Sequence, residues 1–153
     1  METFFEDYFE RMQTLYTDIK TVLEGLPPQA LDWSPGPEMN SIAVLVTHLT
    51  GAARFWVGDV AAQEPSGRVR AQEFQVHGVQ AADLVKKLDA SLDYLRRALE
   101  GMKVEDLGSP RPSPRQEQSC SMGWALLHTL EHTGIHLGHL QVTRQLWESQ
   151  QGA

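Results

Sequence analysis

An all-α fold, a four-helix bundle with long crossover loops, is what the sequence predicts. Three observations point to it. Apolar residues recur at steps of three and four through four long segments, stretches rich in proline or glycine separate those segments, and no segment keeps a period-two alternation bounded by turn signals. With 153 residues, 41% hydrophobic and 22% charged, the chain can build one ordinary core, and residues 1–153 read as a single domain. No internal repeat is present.

The first helix places Phe5, Tyr8, Met12, Leu15, Tyr16, Ile19, Val22, Leu23 and Leu26 at helical intervals, from about Thr3 until Pro27 and Pro28 stop it. Residues 27–40 hold four of the eight prolines and read as a connection ending at Asn40 or Ser41, either of which suits a helix N-cap. A second helix follows over about Ser41–Ala62, with Ile42, Leu45, Val46, Leu49, Ala53, Trp56 and Val60 as its apolar stripe and Thr47, Thr50 and Arg54 as its polar side. Gly51 and Gly58 within it are expected to permit close helix packing. The polar stretch 63–78 reads as a loop, with a short extended piece expected at FQVHGV (74–79). A third helix, about Gln80–Glu100, carries Leu84, Val85, Leu88, Leu92, Leu95 and Leu99 on one face, and Gly101 stops it. Residues 102–121, which include SPRPSPR, read as a surface crossover or lid, and the fourth helix spans about Met122–Ser149.

Composition narrows the functional classes. A net charge of −7 argues against a general nucleic-acid binder, which needs clustered cations to displace counterions from phosphates. The pairs Arg68 with Arg70 and Arg111 with Arg115 read as solvated loop surface. No apolar run is long enough to span a bilayer, and acids occupy the N-terminus where a signal peptide carries Lys or Arg, so a cytoplasmic protein with no membrane partner is expected. The lone Cys120 fits a reducing compartment and reads as a packed or loop residue rather than a nucleophile.

The chemistry concentrates in the fourth helix. Four of the six histidines, His128, His132, His136 and His139, fall within twelve residues at steps of three and four, which gathers them into a stripe about 80° wide. Ala125, Ile135, Leu140, Val142, Leu146 and Trp147 flank the stripe on the helical wheel, so it is expected to face inward. Buried imidazoles need partners for both ring nitrogens, and a divalent metal satisfies several together. A catalytic site commonly takes three protein ligands and keeps one position open. His48, midway along the second helix beside Val44, Ala52 and Phe55, is the best candidate from outside the fourth helix, whereas His77 lies in a polar loop and is left out.

Two competing patterns fail. His128-x-x-Glu131-His132 matches the signature of inverted zinc peptidases, but that chemistry also needs a glutamate ligand well downstream, and Glu148 is the only glutamate after His132. Di-iron bundles need inward glutamates in Glu-x-x-His pairs, and these are missing.

Trp33-Ser34, then Asn40-Ser41-Ile42 and His48, and finally His132-x-x-x-His136-x-Gly138-His139 resemble the DinB/YfiT-like family of helical bundles, whose last motif usually ends in glutamine where this chain has His139. The resemblance runs over nearly the whole chain in helix order and loop placement. It implies that His48, His132 and His136 hold a divalent metal, zinc or nickel, with His128 and His139 as neighbours. It further implies transfer of a low-molecular-weight thiol, such as bacillithiol or mycothiol, to an electrophilic small molecule, and a homodimer. A hydrolase using metal-activated water, or a non-catalytic stress-response module with a structural metal, are the alternatives.

Overall fold

The computed structural model describes residues 1–112 and 119–152 and confirms the all-α helical bundle. Four long helical segments form it: α1 (Thr3–Leu23), α3 (Ile42–Ala53) continued by a π-helix (Arg54–Ala62), α5 (Ala81–Glu100) and α6 (Met122–Gln151). Helices α5 and α6 each pack against both α1 and α3, so the core lies between two helix pairs. Phe5, Met12, Tyr16 and Ile19 of α1, Leu88, Leu95 and Leu99 of α5, and Leu126 and Leu140 of α6 fill it.

Local chemistry sets the helix ends. Ser41 caps α3, its Oγ accepting from the Val44 amide at 3.3 Å, and Ser121 caps α6 by accepting from the Trp124 amide at 3.0 Å. Gln80 and Asp83 form a capping box at the start of α5. Arg144 of α6 donates through Nη1 to the carbonyls of Thr21, Val22 and Glu24, at 2.8–3.1 Å, where α1 ends and its carbonyls lack helical partners.

The structure departs from the sequence reading in several places. The 27–40 connection contains a short helix, α2 (Pro28–Asp32), because a proline at the first helical position costs no hydrogen bond there. The second helix covers its expected span, but its C-terminal half winds as a π-helix. Helix α3 is buried almost all round, Thr47 and Thr50 included, so it has no solvated side in that turn. At both glycines of this segment the nearest atoms are side chains, and a Cβ on Gly58 would strike those of Arg54 and Tyr94. The 63–78 loop contains one helical turn, α4 (Arg70–Glu73), and no strand forms at 74–79. Among the described residues the only strands are β1 (Pro110–Arg111) and β2 (Cys120–Ser121), an antiparallel pair within the 102–121 crossover. Arg111 donates from Nε to the Ala61 carbonyl at 3.0 Å and is no free surface cation, while Arg115 lies outside the described residues.

Arg144 ties α6 to the end of α1 through three carbonyls at once, so Arg144→Ala is expected to lose about 1–2 kcal/mol of stability by denaturant unfolding. Lysine, with one nitrogen to reach both the carbonyls and the Glu148 carboxylate that Arg144 Nε also holds at 2.7 Å, is expected to recover only part of that loss.

Candidate metal centre

Packing of α3 on α6 brings three histidines together. His48 lies buried midway along α3, and His132 and His136 stand one turn apart on α6, half-buried. The His48 ring centroid is 5.0 Å from that of His132 and 5.2 Å from that of His136. Each residue offers one ring nitrogen to a group whose members all lie within 4.8 Å of one another. His132 Nε2 and His136 Nε2 are 3.2 Å apart. Two ligands of a tetrahedral ion at metal–nitrogen distances of about 2.0–2.1 Å stand about 3.3 Å apart, so this pair already has the spacing of one tetrahedral edge. Three neutral imidazoles suit zinc or a neighbouring first-row divalent ion.

The electrostatics favour neutral rings. Burial pushes the His132 imidazolium down to about 3, with the nearby His136, His48 and His128 adding to the effect. Burial likewise brings His136 down to about 4, helped by His48 and His139. His48 is also lowered, chiefly by burial, although Glu73 works in the opposite direction. Neutral imidazoles carry the lone pairs that a metal requires.

Glu73 of α4 is the residue that sequence reasoning missed. Its buried carboxylate accepts from His48 Nδ1, 2.9 Å from Oε2, and from Arg68, whose Nη2 lies 2.7 Å from Oε2 and whose Nε donates to Oε1. Burial opposes ionisation of Glu73, but the hydrogen bonds from Arg68 and His48 outweigh it and hold the carboxyl below its usual range. Arg68 is therefore half of a buried ion pair, not solvated surface. Arg70, by contrast, is exposed and lies over the Phe74 ring, 4.7 Å from its centroid.

The remaining candidates fall outside the triad. His139 is exposed, with its Nδ1 3.4 Å from His136 Nδ1, on the ring edge away from His132. His128 stacks on Trp124 at 4.9 Å and meets Trp56 edge-on at 4.7 Å. His77 is exposed, within 2.9 Å of the Gln75 carbonyl. Burial raises the Cys120 thiol, which makes it a poor nucleophile.

The histidine stripe does not face fully inward. Thr129, Thr133, Leu137 and Leu140 hold the buried face of α6, and the histidines run along its edge. Ile135 and Val142, expected inside, are 52% and 51% exposed, and Leu146 is exposed too. A helix packed on neighbours at one side buries a limited arc, and the threonines occupy the middle of that arc by returning their hydroxyls to the helix carbonyls at 2.8–2.9 Å. The consequence is access. A cavity of about 330 Å³, lined by Met39, Asn40, Leu45, His136, His139 and Val142, opens beside the triad.

A helical bundle carrying three convergent imidazoles that could hold a metal, beside a cavity, defines the class. The chain belongs to the mycothiol-S-transferase family, whose model matches residues 7–149. Among solved structures it is similar to a conserved protein from Enterococcus faecalis, at 15% identity and a TM-score of 0.76, covering 95% of this chain and 97% of that one. A DinB-like protein from Bacillus cereus matches at 13% identity and a TM-score of 0.74, over 92% and 90% of the two chains. A mutant of a mycothiol-dependent maleylpyruvate isomerase matches at 13% identity and a TM-score of 0.69, over 92% of this chain and 63% of that one. At these identities the structural matches establish the fold. No curated protein matches the sequence.

The lowered histidines give metal-free protein a defined pH response. Below about pH 6.5 the unfolded chain binds protons that His132 and His136 refuse in the folded state, so stability falls as pH drops towards about 4. Denaturant midpoints between pH 7.5 and 4 are expected to show that decline, and the double variant His132→Asn/His136→Asn to flatten it. Equal slopes would contradict the assignment.

Proposed function

We propose that this protein transfers a low-molecular-weight thiol to an electrophilic small molecule, with His48, His132 and His136 as the ligands of a divalent zinc or nickel ion. The observation that carries the reading is the convergence of these three imidazoles, in a chain whose match to the mycothiol-S-transferase family includes all of them. The mycothiol-dependent enzyme among the structural matches supports a thiol substrate.

A divalent metal held by the triad supplies a Lewis-acid position that favours the ionised form of a thiol at neutral pH. The chain's own residues do the rest. His132 and His136 keep their lone pairs because burial and mutual repulsion suppress their protonation. Met39, Leu45 and Val142 give the adjoining cavity an apolar wall for a carbon skeleton, and Glu38, Asn40, His139 and Thr143 add polar groups to its lining. No side-chain nucleophile is required, in keeping with the raised thiol of Cys120.

The same reading takes the protein to be cytoplasmic, where low-molecular-weight thiols are kept reduced; no helix among the described residues is long and apolar enough to cross a membrane. It also takes it to be a homodimer. Exposed Trp124, Leu127, Ile135, Val142 and Leu146 make α6 the face that supports pairing.

Incubating metal-loaded protein with mycothiol or bacillithiol and monobromobimane, with product followed by mass spectrometry, tests the activity. Conjugate formation is expected to stop on chelation, return with zinc or nickel, and fall at least about 100-fold in His132→Ala. A product carrying water in place of the thiol would favour a hydrolase, and conjugation indifferent to chelation would overturn the metal-dependent reading.

A further inference from the structure

We propose that Arg68, Glu73 and Gly51 are positioning residues that lock His48 in one tautomer and aim its Nε2 at the metal position. The proposal rests on the metal-site reading above and adds the apparatus that prepares one of its ligands.

An ionised carboxylate only accepts hydrogen bonds, so the 2.9 Å contact between Glu73 Oε2 and His48 Nδ1 places the ring proton on Nδ1. Nε2 is left with its lone pair free. The carboxylate in turn has one orientation, because both of its oxygens accept from the same guanidinium, that of Arg68. Within the triad this arrangement belongs to His48: among the described residues the ring nitrogens of His132 and His136 meet each other and His139, not a carboxylate.

Space for the carboxylate comes from Gly51, one turn beyond His48 on α3. A Cβ there would lie 2.9 Å from Glu73 Cδ, closer still to Oε1, and 3.2 Å from Arg68 Nε. The carboxylate can yield to such a Cβ only by giving up its bonds to Arg68 or His48. Phe74, next in the chain, packs on the His48 ring at 5.1 Å between centroids.

Stability alone does not account for these features. A glycine inside a helix is destabilising relative to alanine, and a buried Arg–Glu pair commonly does no better than break even against apolar packing. Orientation of His48 is what they supply together. A carboxylate behind a ligating histidine is worth about 10–100-fold in metal affinity.

Two measurements test the device without any thiol or electrophile. Long-range ¹⁵N NMR of the metal-free protein reads the His48 tautomer, and competition with a fluorescent chelator reads zinc affinity. Wild type is expected to show the Nδ1–H form. Gly51→Ala, by displacing the carboxylate, is expected to shift His48 towards Nε2–H and to weaken zinc binding about 10–100-fold. Glu73→Gln, of the same shape but without the charge, is expected to weaken binding about 10-fold and guards against a Gly51→Ala protein that does not fold. An Nε2–H form in wild type, or affinities within about twofold of wild type in the folded variants, would overturn the proposal and leave thiol transfer standing. A wild type that binds no zinc or nickel would overturn both.

Discussion

Removing imidazoles from water between α3 and α6 is the constraint on which the site depends. Each such ring gives up two hydrogen-bonding positions to water, and each must be matched inside the protein. The three rings meet that demand in different ways. His48 spends one nitrogen on Glu73, His136 faces His132 through one nitrogen and His139 through the other, and all three offer a nitrogen within 4.8 Å of one another. Without a metal, the convergence costs stability, because lone pairs are brought together and protonation is suppressed by burial and by neighbouring rings. Pre-organised ligand sites carry that kind of cost, and the bundle's apolar core offsets it elsewhere.

The bundle serves this purpose by its packing order. Because α6 contacts both α1 and α3, one edge of its buried arc runs along α3, and the histidines lie on that edge. The threonines at the arc's centre, Thr129 and Thr133, are fully buried. They satisfy their own hydroxyls through helix carbonyls and leave the histidines at the boundary between core and solvent. A metal position there can meet both protein ligands and a substrate arriving from the cavity beside His136.

Much of this was legible in the sequence, for reasons particular to certain residues. Helical periodicity set the four long helical segments within a few residues, because each buries apolar positions at helical spacing and helix breakers follow, Gly25 and Pro27 after α1 and Gly101 after α5. The spacing of His132 and His136 placed them on one face, and His48 stood out as a histidine surrounded by apolar helix positions. The inward direction of the stripe was misjudged because a wheel shows which residues share a face, not how wide an arc the neighbouring helices cover. Glu73 was hidden for another reason: it sits in the polar run RVRAQEF, where a carboxylate beside arginines resembles solvated loop. Only the tertiary fold brings that segment against α3, and the one advance signal was a glycine at position 51 with no turn to justify it.

The fold recurs in proteins that share 13–15% of their residues with this one, so the architecture constrains function less than the side chains placed within it. The central claim is therefore the metal centre, and metal content tests it most directly. Tag-free wild type, His48→Ala, His132→Ala and His136→Ala would be purified in parallel and measured by elemental mass spectrometry after exposure to zinc or nickel. About one equivalent in wild type, lost in every variant that remains folded, is the predicted result. Wild type without bound metal, or folded variants that retain it, would contradict the account.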